Sequence, residues 1–136
     1  MEHIFVTGGT GVLGSAIVPL LLQDLDVHVH LLVRADDPRH LQERFSELRH
    51  FWADDVTDSQ SERIHLYRGD AAQDCFGLKD TDINHLESTI THIIHSAAAV
   101  KLDMTVSEAA TQVYAPARQV LDFALRIHAA RRLQKY

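Results

Sequence analysis

The chain has 136 residues, one cysteine and a formal net charge of -6, and 46% of its residues are hydrophobic. This length predicts a single domain, and the acidic balance argues against a nucleic-acid or anionic-membrane partner. One cysteine excludes an intrachain disulfide framework and a thiolate metal cluster. The sequence shows no apolar run of membrane-spanning length and no signal-peptide pattern, so we expect a cytoplasmic protein.

The stretch His3–Gly14 (HIFVTGGTGVLG) combines a short apolar strand, a glycine-rich turn and the start of a helix. Gly9, Gly11 and Gly14 fit the pattern G-x-G-x-x-G, while Gly8, Gly11 and Gly14 fit G-x-x-G-x-x-G. Between a strand and a helix, such spacing is typical of a dinucleotide-binding turn. Glycines let a pyrophosphate approach the backbone, and the helix start attracts its charge. The alternative is a strand–helix turn that binds nothing.

The next segments predict a crossover helix and a second strand. Val12–Asp24 is apolar at helical spacing, and we expect Pro19 to kink this helix or loosen its second half. Val27–Val33 is rich in β-branched residues and predicts a strand. His28 and His30 share one face of it, but no third metal ligand is evident. We therefore interpret them as packed or partly exposed side chains.

Arg34 follows the second strand, 20 residues after Gly14. In a dinucleotide-binding fold this position contacts the adenosine ribose. A carboxylate there would accept from the 2′-hydroxyl of NAD, whereas an arginine offers a charged fork to the 2′-phosphate of NADP. We expect NADPH, although the nearby Asp36 and Asp37 dilute that preference. The alternative is a solvated arginine at a strand end.

The middle of the chain predicts a helix, a surface loop and a third strand. Pro38–Phe51 is apolar at helical spacing, and Trp52 is interpreted as a packing anchor. Ala53–Glu62 is polar and acidic, so we expect a loop, and Arg63–Arg68 is expected to be the third strand. Asp70 follows that strand, where its carboxylate would either accept from an adenine amino group or cap the next turn.

A short helix and a fourth strand follow. Asp80–Ser88 is predicted to be helical, with Asp80 or Thr81 as its cap. Thr91–His95 predicts the strand, and the small residues after it would let the nicotinamide–ribose half lie against the backbone. These small residues are Ser96, Ala97, Ala98 and Ala99. The alternative is an alanine-rich helix start.

Met104–Leu133 predicts a long helical region that Pro116 interrupts. Strands and helices thus alternate along the chain, which predicts an α/β fold with a Rossmann-like parallel sheet and helices on both faces. Right-handed crossovers imply the strand order 3-2-1-4, with a crevice at the carboxyl ends of strands 1 and 4. We expect residues 1–136 to form a single NADP-binding half-domain that stops before a fifth strand.

Together these segments resemble the N-terminal part of an extended short-chain dehydrogenase/reductase, in its thioester-reductase and fatty acyl-CoA reductase ("male sterility") branch. The resemblance covers nearly the whole chain and rests on Thr7–Gly14, Leu32–Ala35, Gly69-Asp70, Gly77-Leu78 and Ile93–Lys101. It implies an NADPH-dependent oxidoreductase that reduces an acyl thioester to an aldehyde or alcohol. The acyl group would come from a carrier-protein phosphopantetheine or from CoA.

The resemblance also implies roles for individual residues. Thr10, Gly11, Val12 and Leu13 would hold the pyrophosphate, Arg34 the 2′-phosphate, Asp70 the adenine, and Ala97, Ala98 and Ala99 the ribose side, with Lys101 near the cofactor or the substrate entrance. The glycine pattern adds Gly8 and Gly14 to this set. No metal ligand is assigned.

Two departures from the family pattern limit this reading. Gln112–Pro116 has no asparagine where the family places one in its proton relay. The catalytic serine and Tyr-x-x-x-Lys of the family lie beyond a fifth strand, so we assign no catalytic residue and expect the chain alone to be inactive. Two alternatives stay open: a fragment of a nucleotide-sugar epimerase or dehydratase, and a non-catalytic NADP-binding module, either an NADPH sensor or a subunit whose partner supplies the missing strands. The fourth strand would then be an exposed sheet edge, so we expect the isolated chain to self-associate or to be poorly soluble.

Overall fold

The computed structural model describes residues 1–97 and 103–133. Its four strands are β1 (Glu2–Thr7), β2 (Val27–Val33), β3 (Ile64–Arg68) and β4 (His92–His95). They pair in parallel in the order β3-β2-β1-β4, with Phe5 opposite His30 and Ile93, for example. This order confirms the predicted Rossmann-like sheet.

Helices cover both faces of the sheet. Their bounds are α1 (Val12–Leu21), α2 (Pro38–Trp52), α3 (Asp58–Ser61), α4 (Asp80–Thr89), α5 (Val106–Ala109) and α6 (Ala115–Leu133). On one face, Val18 of α1 and Leu48 of α2 pack against the β-branched residues of β1 and β2. On the other face, Leu86 of α4 and Phe123 of α6 pack around Phe5. Side chains alternate between the two faces of each strand, and apolar residues occupy both sets of positions. Both faces of the sheet are therefore apolar and covered by helices.

Trp52 is the packing anchor that the sequence predicts. Its side chain is 2% exposed, and its Nε1 donates to the carbonyl oxygen of Ser15 at 2.7 Å. This bond ties the end of α2 to the first turn of α1. The position of α2 relative to α1 is therefore fixed near the glycine turn.

The predicted loop at residues 53–62 contains helical structure instead. A 3-10 turn covers Ala53–Asp55, and α3 follows it. Thr57 caps α3, since its hydroxyl accepts from the backbone N–H of Gln60 and the Gln60 side chain accepts from that of Thr57. The T-x-x-Q capping box was the local signal for this helix, and the acidic composition concealed it.

Two helix ends also differ from the prediction. α1 ends at Leu21, only two residues beyond Pro19 and before the predicted Asp24. The N-cap of α4 is Lys79 without a side-chain hydrogen bond, so the expectation of a cap at Asp80 or Thr81 is wrong. α4 starts at Asp80, the predicted first residue, so the Asp80 carboxylate lies in the first turn, where the helix dipole favours a negative charge.

Pro116 does not end the long helical region. A π-helical segment, Ala110–Tyr114, joins α5 to α6, and Pro116 is the second residue of α6. Proline has no N–H to donate, and a widened turn directly before it accommodates that missing bond. The predicted break is therefore a local widening of one continuous helical region.

Candidate functional site

A cleft of about 660 Å³ lies at the carboxyl ends of the strands. Its lining includes Gly8, Thr10, Gly11, Arg34, Asp70 and Ala97. These are six of the twelve residues that the sequence nominates for cofactor binding, and they come from the ends of all four strands. The fold thus brings together segments that are up to 89 positions apart in the chain.

Three of the other nominated residues are described and do not line this cleft. Val12 is 89% exposed and borders a neighbouring groove between α1 and α2 of about 920 Å³, while Leu13 is 68% exposed. Gly14 is buried against the glycine turn. Ala98, Ala99 and Lys101 lie outside the described residues.

The glycine turn needs its glycines for two different reasons. Gly8 has a φ of +72°, and a Cβ there would lie 2.6 Å from the backbone nitrogen of Ala97. A Cβ on Gly14 would lie 2.1 Å from the carbonyl oxygen of Gly8. Gly8 therefore permits a left-handed turn against the end of β4, and Gly14 permits close packing of α1 on the turn.

The N-terminus of α1 faces this turn without a side-chain cap. Its N-cap is Gly11, which makes no side-chain hydrogen bond, and the first turn carries no acidic residue. The first N–H groups of a helix have no partner within the helix, and they carry the positive end of its dipole. This end of α1 has the features of an anion-binding site for a phosphate group.

Arg44 is a site residue that the sequence interpretation missed. Its guanidinium donates to the carbonyl oxygen of Arg34 and, at 3.1 Å, to the Thr10 hydroxyl. Asp37 caps α2 by accepting from the His40 N–H at 2.7 Å. Asp37, His40 and Arg44 are spaced by three and four residues, so they share one face of α2. That spacing places Arg44 on the face of α2 that starts at Asp37, but its contact with Arg34 follows only from the tertiary structure.

Asp70 caps a turn, as one of its two predicted roles requires. Its carboxylate accepts from the backbone N–H of Ala72 at 2.9 Å, and its own N–H donates to the carbonyl of Phe76. Asp70 also borders a hollow of about 520 Å³ whose rim carries Arg34, Arg44 and Arg68. The adenine role of Asp70 stays a prediction, and the rim around it carries Asp36 as well as the three arginines.

The opposite side of the cleft is built where β1 and β4 end. The Ser96 hydroxyl donates to the carbonyl oxygen of Thr7 at 2.7 Å, and the Ala97 N–H donates to the Thr7 hydroxyl at 3.3 Å. Nδ1 of His95 lies 2.6 Å from the same hydroxyl, and burial lowers the pKa of His95. The π-helical segment contributes Gln112 to the cleft wall.

Histidines also gather at the amino ends of the strands, far from the cleft in register. His3, His28, His30 and His65 share one face of the sheet, with ring centroids 4.7–5.3 Å apart in neighbouring pairs. We call these four residues the histidine stack. His30 is 1% exposed, so it is packed, as the sequence predicts. Across residues 1–97 and 103–133, no group of three or more His, Cys, Asp or Glu side chains is arranged to hold a metal ion.

A family model described as male sterility protein matches residues 6–135. The chain belongs to this family. The match confirms the resemblance to the thioester-reductase and fatty acyl-CoA reductase branch, a family of oxidoreductases that use a nicotinamide cofactor. In the part of the chain that the structure describes, no helix is long and apolar enough to cross a membrane.

Three similar proteins illustrate the family. The nonribosomal peptide synthetase malG of Malbranchea aurantiaca is 37% identical over 105 residues, which are 71% of this chain and 4% of the synthetase. Human fatty acyl-CoA reductase 2 is 30% identical over 127 residues, covering 88% of this chain and 24% of the reductase. The PhqB reductase domain of Penicillium fellutanum has a TM-score of 0.72 at 30% identity, covering 92% of this chain and 33% of that one. The chain thus spans a third or less of each.

Proposed function

We propose that this chain is the NADPH-binding part of an oxidoreductase that reduces an acyl thioester to an aldehyde or an alcohol. The observation that carries the cofactor choice is the arrangement of Arg44 between Arg34 and Thr10. It supports the proposal because a second guanidinium lies at the strand end where a dinucleotide presents its adenosine ribose. Two planar, permanently charged guanidinium groups suit the 2′-phosphate of NADP, and NAD has no such phosphate for them to bind.

The residues of the cleft fit such a cofactor along its length. The pyrophosphate would lie at the uncapped start of α1, beside the turn that contains Gly8, Thr10 and Gly11 and the first helical residues Val12, Leu13 and Gly14. Asp70 would receive the adenine, and Ala97, Ala98, Ala99 and Lys101 the nicotinamide side. When bound, NADPH supplies hydride to the acyl carbonyl. The residues of this chain bind and orient the cofactor.

The proposed substrate is an acyl thioester on a carrier-protein phosphopantetheine or on CoA. The names of the similar proteins support both sources, since one is a nonribosomal peptide synthetase and another is a fatty acyl-CoA reductase. The chain on its own is expected to bind NADPH without rapid turnover, because neither Tyr67 nor Tyr114 is followed by a lysine four residues later. An unperturbed phenol has a pKa of about 10 and is a poor proton donor at neutral pH.

The cofactor proposal is tested by titrating NADPH and NADH into the chain and into three variants. We expect the Arg34→Ala and Arg44→Ala variants to lose about 10- to 100-fold in NADPH affinity, because charged hydrogen bonds to the 2′-phosphate disappear. NADH affinity should hardly change. Arg39→Ala is the matched control, since Arg39 lies on the same helix with an 89% exposed side chain paired to Glu43. Equal affinities of the unmodified chain for the two cofactors would contradict the choice of NADPH.

We also infer self-association through β4. In the described sheet this strand pairs with β1 on one side, which leaves its other side as an edge. Unpaired strand edges are templates for pairing with another chain. Sedimentation velocity over a range of protein concentrations should show dimers or larger species, and a monodisperse monomer at high concentration would refute this.

A further inference from the structure

The Thr7 side chain is the centre of a small hydrogen-bond network between β1 and β4. Thr7 is fully buried, and its hydroxyl oxygen lies 2.6 Å from Nδ1 of His95 and 3.3 Å from the backbone nitrogen of Ala97. The amide of Ala97 can only donate, so the hydroxyl accepts from it. The hydroxyl has one proton to donate, and among the described residues Nδ1 of His95 is the acceptor within hydrogen-bond distance of it, so this buried proton is satisfied only if it points to His95. His95 accepts at Nδ1 and carries its ring proton on Nε2.

This assignment requires a neutral His95. The His95 residue is partly exposed, and the burial of the rest of its ring lowers its pKa, which favours the neutral imidazole. A neutral ring offers one nitrogen as an acceptor, and the Thr7 hydroxyl takes it. The directions of the two hydrogen bonds follow from two facts together: the Ala97 amide can only donate, and the buried hydroxyl proton needs an acceptor.

The network holds the part of the cleft wall where Gly8 and Ala97 are packed too tightly to move independently. Gly8 and Ala97 approach so closely that a Cβ on Gly8 would lie 2.6 Å from the Ala97 nitrogen. Both residues line the cleft. A change in the orientation of the Thr7 hydroxyl therefore shifts the position of the Ala97 backbone beside the glycine turn.

The place of this wall in the sheet indicates which half of the cofactor it meets. Arg34 and Asp70 follow β2 and β3, on one side of β1, whereas Ala97 follows β4 on the other side. A dinucleotide that crosses the end of β1 lays its two halves on opposite sides of that strand. With the adenosine half beside Arg34, the nicotinamide half lies beside Ala97.

We propose that His95 is a positioning residue for the nicotinamide half of the cofactor, acting through the Thr7 hydroxyl on the backbone amide of Ala97. The inference rests on the proposed NADPH site and adds a residue to it. His95 itself need not touch the cofactor. Its contribution is the acceptor that orients the hydroxyl, so a side chain with an acceptor in the same position should replace it.

The test uses two ligands that separate the halves of the site, NADPH and 2′,5′-ADP, with calorimetry on the full chain. His95→Leu removes the acceptor and should weaken NADPH binding about 10-fold while leaving 2′,5′-ADP affinity within about twofold. His95→Asn should restore NADPH binding to within about threefold, because its Oδ1 stands where Nδ1 stood. Thr7→Val should match His95→Leu, and the double variant should lose no more than either single one.

Three outcomes would overturn the inference: equal losses for NADPH and 2′,5′-ADP, no rescue by His95→Asn, or additive losses in the double variant. Equal losses would mean that His95 supports the fold generally. If His95→Leu fails to fold, the Thr7→Val and His95→Asn results decide alone. If the unmodified chain binds neither ligand, the proposed function fails at that step, and that result is distinct from any of these three.

Discussion

The two ends of the sheet use histidine in different ways. At the amino ends, the rings of the histidine stack pack on one another and on Tyr67, whose hydroxyl lies 3.0 Å from Nδ1 of His30. At the carboxyl ends, His95 bonds to Thr7 beside an open cleft. Burial lowers the pKa of His30 to about 3, and it also lowers the pKa of His95. A lowered histidine pKa therefore does not by itself mark a site.

What distinguishes the two ends is the surrounding backbone. The carboxyl ends of the strands, where His95 lies, carry glycines, an uncapped helix start and arginines that line the cleft. Around His30 there are other imidazoles and the apolar side chains under α4 and α6. The first environment leaves space and donors for a ligand, and the second leaves neither. The predictions below perturb each end separately.

The largest effect is expected at the carboxyl end, from Gly14→Ala. The new Cβ would lie 2.1 Å from the Gly8 carbonyl oxygen, so the turn must move, and we expect a loss of about 3 kcal/mol or more in unfolding free energy. NADPH binding should be lost with it. Gly11→Ala is the matched control, because its Cβ would lie 3.3 Å from the same oxygen and should cost below about 1 kcal/mol. Urea unfolding of both variants measures the difference, and similar losses would contradict this account of the turn.

The next effect belongs to the amino end and depends on pH. His30 has a folded-state pKa of about 3 against an unfolded value of 6.5, so the unfolded chain binds the proton more readily. Stability is therefore complete above pH 6.5 and falls as the pH drops towards 3. Between pH 7.5 and 5, His30 alone should remove about 2 kcal/mol. The pKa values of His3 and His65 are also lowered, which acts in the same direction.

Urea unfolding across this pH range measures the effect. His30→Leu should flatten the dependence, while His50→Leu, at an exposed position on α2, should leave it unchanged. A stability that stays constant from pH 7.5 to 5 would show that the histidine stack is not buried in its neutral form.

The smallest effect tests whether the two ends are independent. Tyr67→Phe removes the hydroxyl that lies 3.0 Å from Nδ1 of His30, and we expect a loss of about 1 kcal/mol. NADPH affinity should be unchanged, because Tyr67 does not line the cleft. The control is Tyr114→Phe at a 63% exposed side chain, with an expected change within about 0.5 kcal/mol. A clear change in NADPH affinity for Tyr67→Phe would show that the two ends of the sheet are energetically coupled.

Most of the fold could be predicted because its signals are local. The apolar strands, the helical spacing of α2 and the glycine turn are each contained in one segment, and the crossover rule then restricts the strand order. Helix ends were less predictable. The cap of α4 and the end of α1 depend on single hydrogen bonds, and a proline such as Pro116 is compatible with more than one local geometry.

The candidate site divides in the same way. The spacing of Gly8, Gly11 and Gly14 by itself determined that a tight glycine turn opens α1, because the requirement for glycine is a property of that turn's backbone. Only the tertiary structure decided that Arg44 reaches Arg34 and that His95 faces Thr7 across paired strands. These contacts depend on helix rotation and strand register, which distant segments set jointly and no single segment encodes.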